Sequence, residues 1–154
     1  MKAITLTQPW ATLVAIKEKR IETRSWNTAY RGPLAIHAAK GYPQWAKDWC
    51  YVEPFQTALR AYPGPPLPVG CVLATCRLIA CVPTRELQLG RVIECEASLC
   101  IAPVPITEQE LAFGDYSPGR WAWLLADVKP LPVPIPARGA LSLWEWEGEP
   151  NGGK

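Results

Sequence analysis

Prolines at 130, 132, 134 and 136 alternate with other residues in the last third of the chain. Proline lacks a backbone N–H and has a fixed φ. The segment is therefore barred from a helix interior, kept extended, and unable to donate to a central strand ladder. Around it the sequence offers many short strand patterns and few helical ones. Strands are predicted over 3–6, 20–24, 34–38, a long apolar run 69–82, 120–128 and 143–147. Helical spacing is brief. Trp10, Leu13 and Val14 fall at i, i+3 and i+4 behind Thr7, placed as an N-cap, with Pro9 in the first turn. Residues 43–61 read as helix broken at Pro54, and Thr107 with Glu110 has capping-box spacing. No βαβ alternation is visible, so the sequence predicts an α+β, mainly β fold: a small β-barrel with flanking helices.

At 154 residues the chain suits one domain, expected over 1–147, with 148–154 as a flexible C-terminal tail. Its composition, 49% hydrophobic and 19% charged, is that of a globular protein rather than a disordered or fibrous one. No apolar run reaches bilayer length, and MKAITLTQPW has neither the apolar stretch nor the cleavage site of a signal peptide. A cytoplasmic protein with no membrane partner is the expectation. Six cysteines, Cys50, Cys71, Cys76, Cys81, Cys95 and Cys100, then read as free thiols. Strand alternation sends Cys76 to the face opposite Cys71 and Cys81, and there is no CxxC pair and only one histidine. Neither a metal nor a cofactor is predicted.

Charge is distributed unevenly. Residues 1–40 carry seven Lys or Arg against two Glu, and the remainder carries nine against twelve acidic residues. A basic first third favours an anionic partner near that segment. Within it, Arg20, Glu22 and Arg24 alternate with Ile21 and Thr23, the pattern of a half-buried strand whose polar face is charged. Arg24 and Lys19 can hold phosphate or a carbonyl oxygen, while Glu22 can accept from a base amino group or move a proton. Aromatic faces stack on unpaired bases, and Trp26, directly after the charged strand, is the foremost candidate. Trp45, Trp49, Trp144 and Trp146 have spacings that suit core packing. His37, between Ile36 and Ala38, reads as a structural histidine. No P-loop, dinucleotide glycine pattern or Ser-His-Asp order appears.

Three segments, Gln8-Pro9-Trp10-Ala11, Lys19 to Trp26 and Gly114 to Trp123, together resemble the ASCH family. That family is similar in fold to the PUA RNA-binding domains, which implies a closed β-barrel. Its motif reads G-x-K-x-x-E-x-R; Lys19, Glu22 and Arg24 match it, and Lys17 stands at the glycine. A lysine there has to avoid or tolerate a left-handed backbone. The resemblance implies RNA or nucleoside binding in a basic cleft, with Gln8, Trp10, Lys19, Glu22, Arg24, Trp26, Arg31, Tyr116, Ser117 and Arg120 as binding residues. Some members are hydrolases, acetylcytidine amidohydrolases or ribonucleases, and for such chemistry Lys19 and Glu22 are the catalytic candidates. Deacetylating members carry threonine at the position of Glu22, so binding is implied more directly than reaction. A third possibility, a protein-interaction barrel, is suggested by acidic residues such as Glu145, Glu147 and Glu149.

Overall fold

The computed structural model describes residues 1–64, 66–87, 92–93 and 104–149. In chain order the elements are β1 (Lys2–Leu6), α1 (Trp10–Ala15), β2 (Ile21–Arg24), β3 (Gly32–Ala38), α2 (Gln44–Asp48), α3 (Phe55–Leu59), β4 (Cys71–Pro83), β5 (Val92–Ile93), β6 (Val104–Pro105), α4 (Glu108–Ala112), β7 (Trp121–Pro136) and β8 (Trp144–Glu145). Six strands form one mixed sheet in the order β2-β7-β4-β3-β1-β8, and β5 pairs with β6 separately. β1 and β3 are parallel, from Lys2↔Leu34 to Leu6↔Ala38; β1 with β8 and β2 with β7 are antiparallel. The fold is mainly β with few, short helices, as the strand patterns predict. The closed barrel is not what the described residues form. Their sheet ends on β2, four residues long, and β8, two residues long, and edge strands this short offer few ladder groups to one another. The prolines do not end β7 either. The strand runs through all four of them, extended as predicted.

Contacts divide the chain into two units: Met1–Glu18, Pro33–Cys76 and Asp127–Lys154 in the first, Lys19–Gly32 and Arg77–Ala126 in the second. The expected tail lies outside the described residues from 150 onward. None of the described helices is long and apolar enough to cross a membrane.

In the first unit Ala3, Ala35, Val72 and Trp146 form a buried cluster over which Leu131, Ile135 and Trp144 pack. α1 begins after Pro9, and Thr7 does not cap it. The Gln8 side-chain oxygen accepts the Thr12 amide at 3.0 Å instead, satisfying a first-turn donor from outside the helix. The other end closes as a Schellman turn. Lys17 sits at φ 69°, its N–H donates to Val14 O, and that of Glu18 donates to Leu13 O, both at 3.0 Å. Lysine therefore takes the left-handed conformation at the motif's glycine position. Trp45 and Trp49 are not core residues: they are 59% and 43% exposed. α2 is only five residues long and buries Ala46 alone, and Phe55 of α3 fills the interior in their place. In β4, Cys71 and Cys76 are buried thiols, burial pushing Cys76 up to about 12. Cys95 and Cys100 lie outside the described residues.

In the second unit Ile21, Ala122, Leu124 and Ile106 form the core, with Leu111 and Tyr116 packed against it.

Candidate nucleic-acid interface

The candidate site of the second unit is built on the pairing of β2 with β7. Ile21 lies opposite Leu124, Glu22 opposite Trp123, Thr23 opposite Ala122 and Arg24 opposite Trp121. Directly opposed residues share a face. Ile21, Ala122 and Leu124 therefore turn to the core, while Glu22, Arg24, Trp121 and Trp123 share the other face. Burial follows the same alternation: Ile21 and Thr23 are buried, and Glu22 and Arg24 partly open. Two ionic groups and two indoles thus stand on one strand pair.

The three charges of the motif are not equivalent. Lys19 is completely buried. Its Nζ donates to the carbonyls of Ile21 and Phe113, the latter at 3.2 Å, and lies 3.6 Å from Glu22 Oε2. Those partners engage the donors of an ammonium group, so Lys19 ties β2 to the end of α4 and steers Glu22 from below. Glu22 also lies 3.2 Å from Arg24 Nε, and only 13% of its side chain is exposed against 24% for Arg24. Arg24 is the more open of the pair, although its Nε is buried against the carboxylate.

A second carboxylate supports this arrangement. Glu110 is buried and accepts the backbone N–H of Arg20 at 2.5 Å and of Ile21 at 3.3 Å. Burial raises its pKa, opposed by the Lys19 charge and by those two amides. The capping box forms by halves. Thr107 Oγ1 accepts the Glu110 amide at 3.1 Å, but the Glu110 carboxylate reaches β2 rather than returning to its own helix. Its spacing in the sequence signals a cap, and nothing local signals the long-range role.

The segment after α4 is pinned onto β2. Thr23 Oγ1 accepts the Asp115 N–H at 3.0 Å, and Arg120 donates to Asp115 O at 3.0 Å and to Thr23 O at 3.3 Å. Asp115 Oδ1 accepts both the hydroxyl and the N–H of Ser117, at 2.6 and 3.0 Å; those bonds, with Arg120 nearby, hold its carboxyl below the usual range. Gly114 is required here. A Cβ on it would stand 2.7 Å from the Tyr116 ring and 3.1 Å from Thr23 Cγ2. Tyr116 packs on the core, and its buried hydroxyl has no hydrogen-bond partner among the described residues. Burial and the charges of Glu110 and Glu22 raise the pKa of that phenol, which stays protonated and can donate. Trp26 is half-buried, edge to face on fully buried Trp123 at 4.7 Å, and its carbonyl accepts the Trp123 indole N–H at 3.3 Å.

The other predicted residues serve their local structure. Gln8 is fully buried, its amide donating to Pro68 O at 2.7 Å while its oxygen caps α1. Trp10 packs against Trp45 and Phe55, at 6.0 and 5.8 Å. Both belong to the first unit. Arg31 is exposed, its guanidinium donating to the carbonyls of Thr28 and Tyr30. His37 is buried, hydrogen-bonded to Thr5 Oγ1 at 3.2 Å and Ala137 O at 3.0 Å, the structural role expected of it.

An open mixed sheet with a buried lysine beneath a Glu-Arg pair, opposed by a half-buried Trp121 and a fully buried Trp123, defines a class of small α+β domain with a charged strand face. The model of the ASCH domain family matches residues 4–133. The chain belongs to the ASCH domain family. It is also 33% identical over 91 residues to Activating signal cointegrator 1 of Mus musculus and 32% identical over 91 residues to that of Homo sapiens. Each match covers 55% of this chain and 15% of the relative, so the chain spans a small part of those proteins' length.

Proposed function

We propose that this protein binds single-stranded RNA, or a modified nucleobase within it, through the β2–β7 face. The observation that carries the reading is the register that sets Arg24 opposite Trp121 and Glu22 opposite Trp123 on one face. A guanidinium recognises phosphate or a base carbonyl, a carboxylate accepts from a base amino group, and an indole stacks on a base at about 1–3 kcal/mol per base. Arg24 and Arg120 are the phosphate-facing cations, and Trp26 is the stacking ring. Tyr116 and Ser117 shape the rim. Lys19 is a positioning residue that holds Glu22 and the α4 end, and Arg31 contributes through the turn it orders.

Fluorescence anisotropy with a short single-stranded RNA, titrated across salt concentrations, tests this. Arg24→Ala should weaken binding and flatten the salt dependence by about one phosphate contact or less. Trp26→Ala should weaken binding at unchanged slope, because stacking releases no counterions. Absence of binding by the folded wild type at low salt would refute the reading. Incubation with acetylated cytidine separates a binder from a hydrolase. Product that vanishes in Glu22→Gln would assign catalysis to that carboxylate; a binder gives no product and changes its base preference in that variant.

A further inference from the structure

A cavity of about 950 Å³ is lined by residues of the first unit alone, and none of the paired residues Ile21–Arg24 and Trp121–Leu124 is among them. Its size is that of a small-molecule site. Val69, Pro136 and Leu141 supply apolar wall, and the charged residues lining it are Lys40 and Arg138. Both are exposed, and neither forms an ion pair with a described residue. No carboxylate lines the cavity among the described residues.

The wall's polar groups are already engaged. His37 Nε2 donates to Ala137 O, the Thr5 hydroxyl lies 3.2 Å from both His37 Nδ1 and Ala140 O and accepts the Trp144 indole N–H, and the Ala137 N–H donates to Gly70 O. These bonds fix the 137–140 segment against β3. Gly139 allows the approach, since a Cβ on it would fall 2.5 Å from His37 Cε1 and 2.8 Å from Thr5 Oγ1. Burial lowers the His37 pKa, so the ring stays neutral and adds no cation of its own. What the cavity offers a ligand is therefore a prearranged apolar surface and two long cationic side chains.

We propose that this cavity binds a small organic anion: a phosphate or carboxylate head held by Arg138 and Lys40, on a flat apolar body lying against Val69, Pro136 and Leu141. Arg138 presents the planar fork that matches either head, and Lys40 adds a point charge. The apolar wall favours a body that needs few hydrogen bonds of its own. This site stands independently of the RNA reading.

The test is calorimetric titration of the full chain with 1-naphthyl phosphate, 1-naphthoate, adenosine monophosphate and inorganic phosphate. His37, the one histidine of the chain, supplies an NMR reporter in the cavity wall. Either naphthyl anion should bind and shift the His37 ring resonances, whereas inorganic phosphate should bind about tenfold more weakly or not at all. Arg138→Ala should weaken binding about tenfold and Lys40→Ala less, as removal of a charge-assisted contact requires. Comparing the two naphthyl compounds assigns the head group, and binding of the nucleotide at the same residues assigns the source as a nucleotide. Arg24→Ala should weaken RNA and leave these titrations unchanged, which keeps failure of one site distinct from failure of the other. No binding by any organic anion, binding that survives both Arg138→Ala and Lys40→Ala, or binding that leaves the His37 resonances in place would overturn the proposal.

Discussion

Replacing Lys17 by glycine should stabilise this protein. Lys17 sits at φ 69°, one position past the C-cap of α1, and closes the Schellman turn through Val14 and Leu13. A non-glycine residue in this conformation costs about 1–2 kcal/mol from the Cβ clash with its carbonyl. Glycine escapes that cost but gives back about 0.5–1 kcal/mol through the freedom it adds to the unfolded chain. The Lys17 side chain is exposed, so its loss forfeits only its interaction with the helix dipole, about 0.3 kcal/mol. The net gain is about 0.5 kcal/mol. For a chain of this size that is a rise in Tm of about 1–2 °C. Urea unfolding of wild type, Lys17→Gly and Lys17→Ala provides the measurement. The glycine variant should raise the midpoint at constant m-value. Alanine keeps the Cβ and loses the charge, so it should show no gain. A glycine variant no more stable than wild type, or an alanine variant matching it, would refute the assignment of strain to this residue.

Lys19→Met should destabilise the fold by about 3–5 kcal/mol, because the Ile21 and Phe113 carbonyls lose their donor and the carboxylates of Glu22 and Glu110 lose their buried cation; a shift in urea midpoint within experimental error would refute this. The raised pKa of Glu110 means that the folded state takes up its proton first, so this group's contribution to stability is gained as pH falls through its folded pKa toward 4.5 and lost as pH rises through it. Midpoints followed from pH 8 to 4.5 should show that trend in wild type and lose it in Glu110→Gln, which is also less stable by about 1–3 kcal/mol because the amide replaces one of the two oxygens, Oε1 on Arg20 and Oε2 on Ile21, by a donor. His37 runs the other way. Its pKa is lowered by burial, so its contribution is complete above the ordinary 6.5 and is lost as pH falls below that value, and His37→Gln should remove that loss from the same titration.

The parts of this fold that were legible in the sequence are those set by local chemistry. Alternation at 20–24 marks a half-buried strand with Glu22 and Arg24 on its open face, and the register with β7 agrees. Pro54 divides the helical stretch, and the proline-spaced segment is extended. Long-range choices were not legible. Trp45 and Trp49 carry helical spacing, but spacing does not say which face has a neighbour, and Phe55 four residues beyond Tyr51 took the interior. Gln8 looks like an exposed polar residue beside a tryptophan, yet its two polar ends meet Thr12 in the next turn and Pro68 sixty positions away. The cavity around Arg138 and Lys40 joins residues from four distant segments, each ordinary when read alone.

The family motif looks like one charge cluster, and the structure divides it by depth. Lys19 at the bottom has no exposure, Glu22 is a little open, and Arg24 is more so. A buried ammonium requires compensation, which Glu22 and Glu110 supply as charges while the Ile21 and Phe113 carbonyls accept its protons. Removing Glu22 would therefore take a compensating charge from the buried Lys19 ammonium, whereas removing Arg24 takes a cation from the more open position. That asymmetry follows from the spacing itself. Glu22 and Arg24, two apart on a strand, share the open face, and Lys19 precedes the strand, where its long stem can pass beneath. Of the three, Arg24 is thus the most open, and its replacement leaves the Lys19 contacts to Glu22, Ile21 and Phe113 in place.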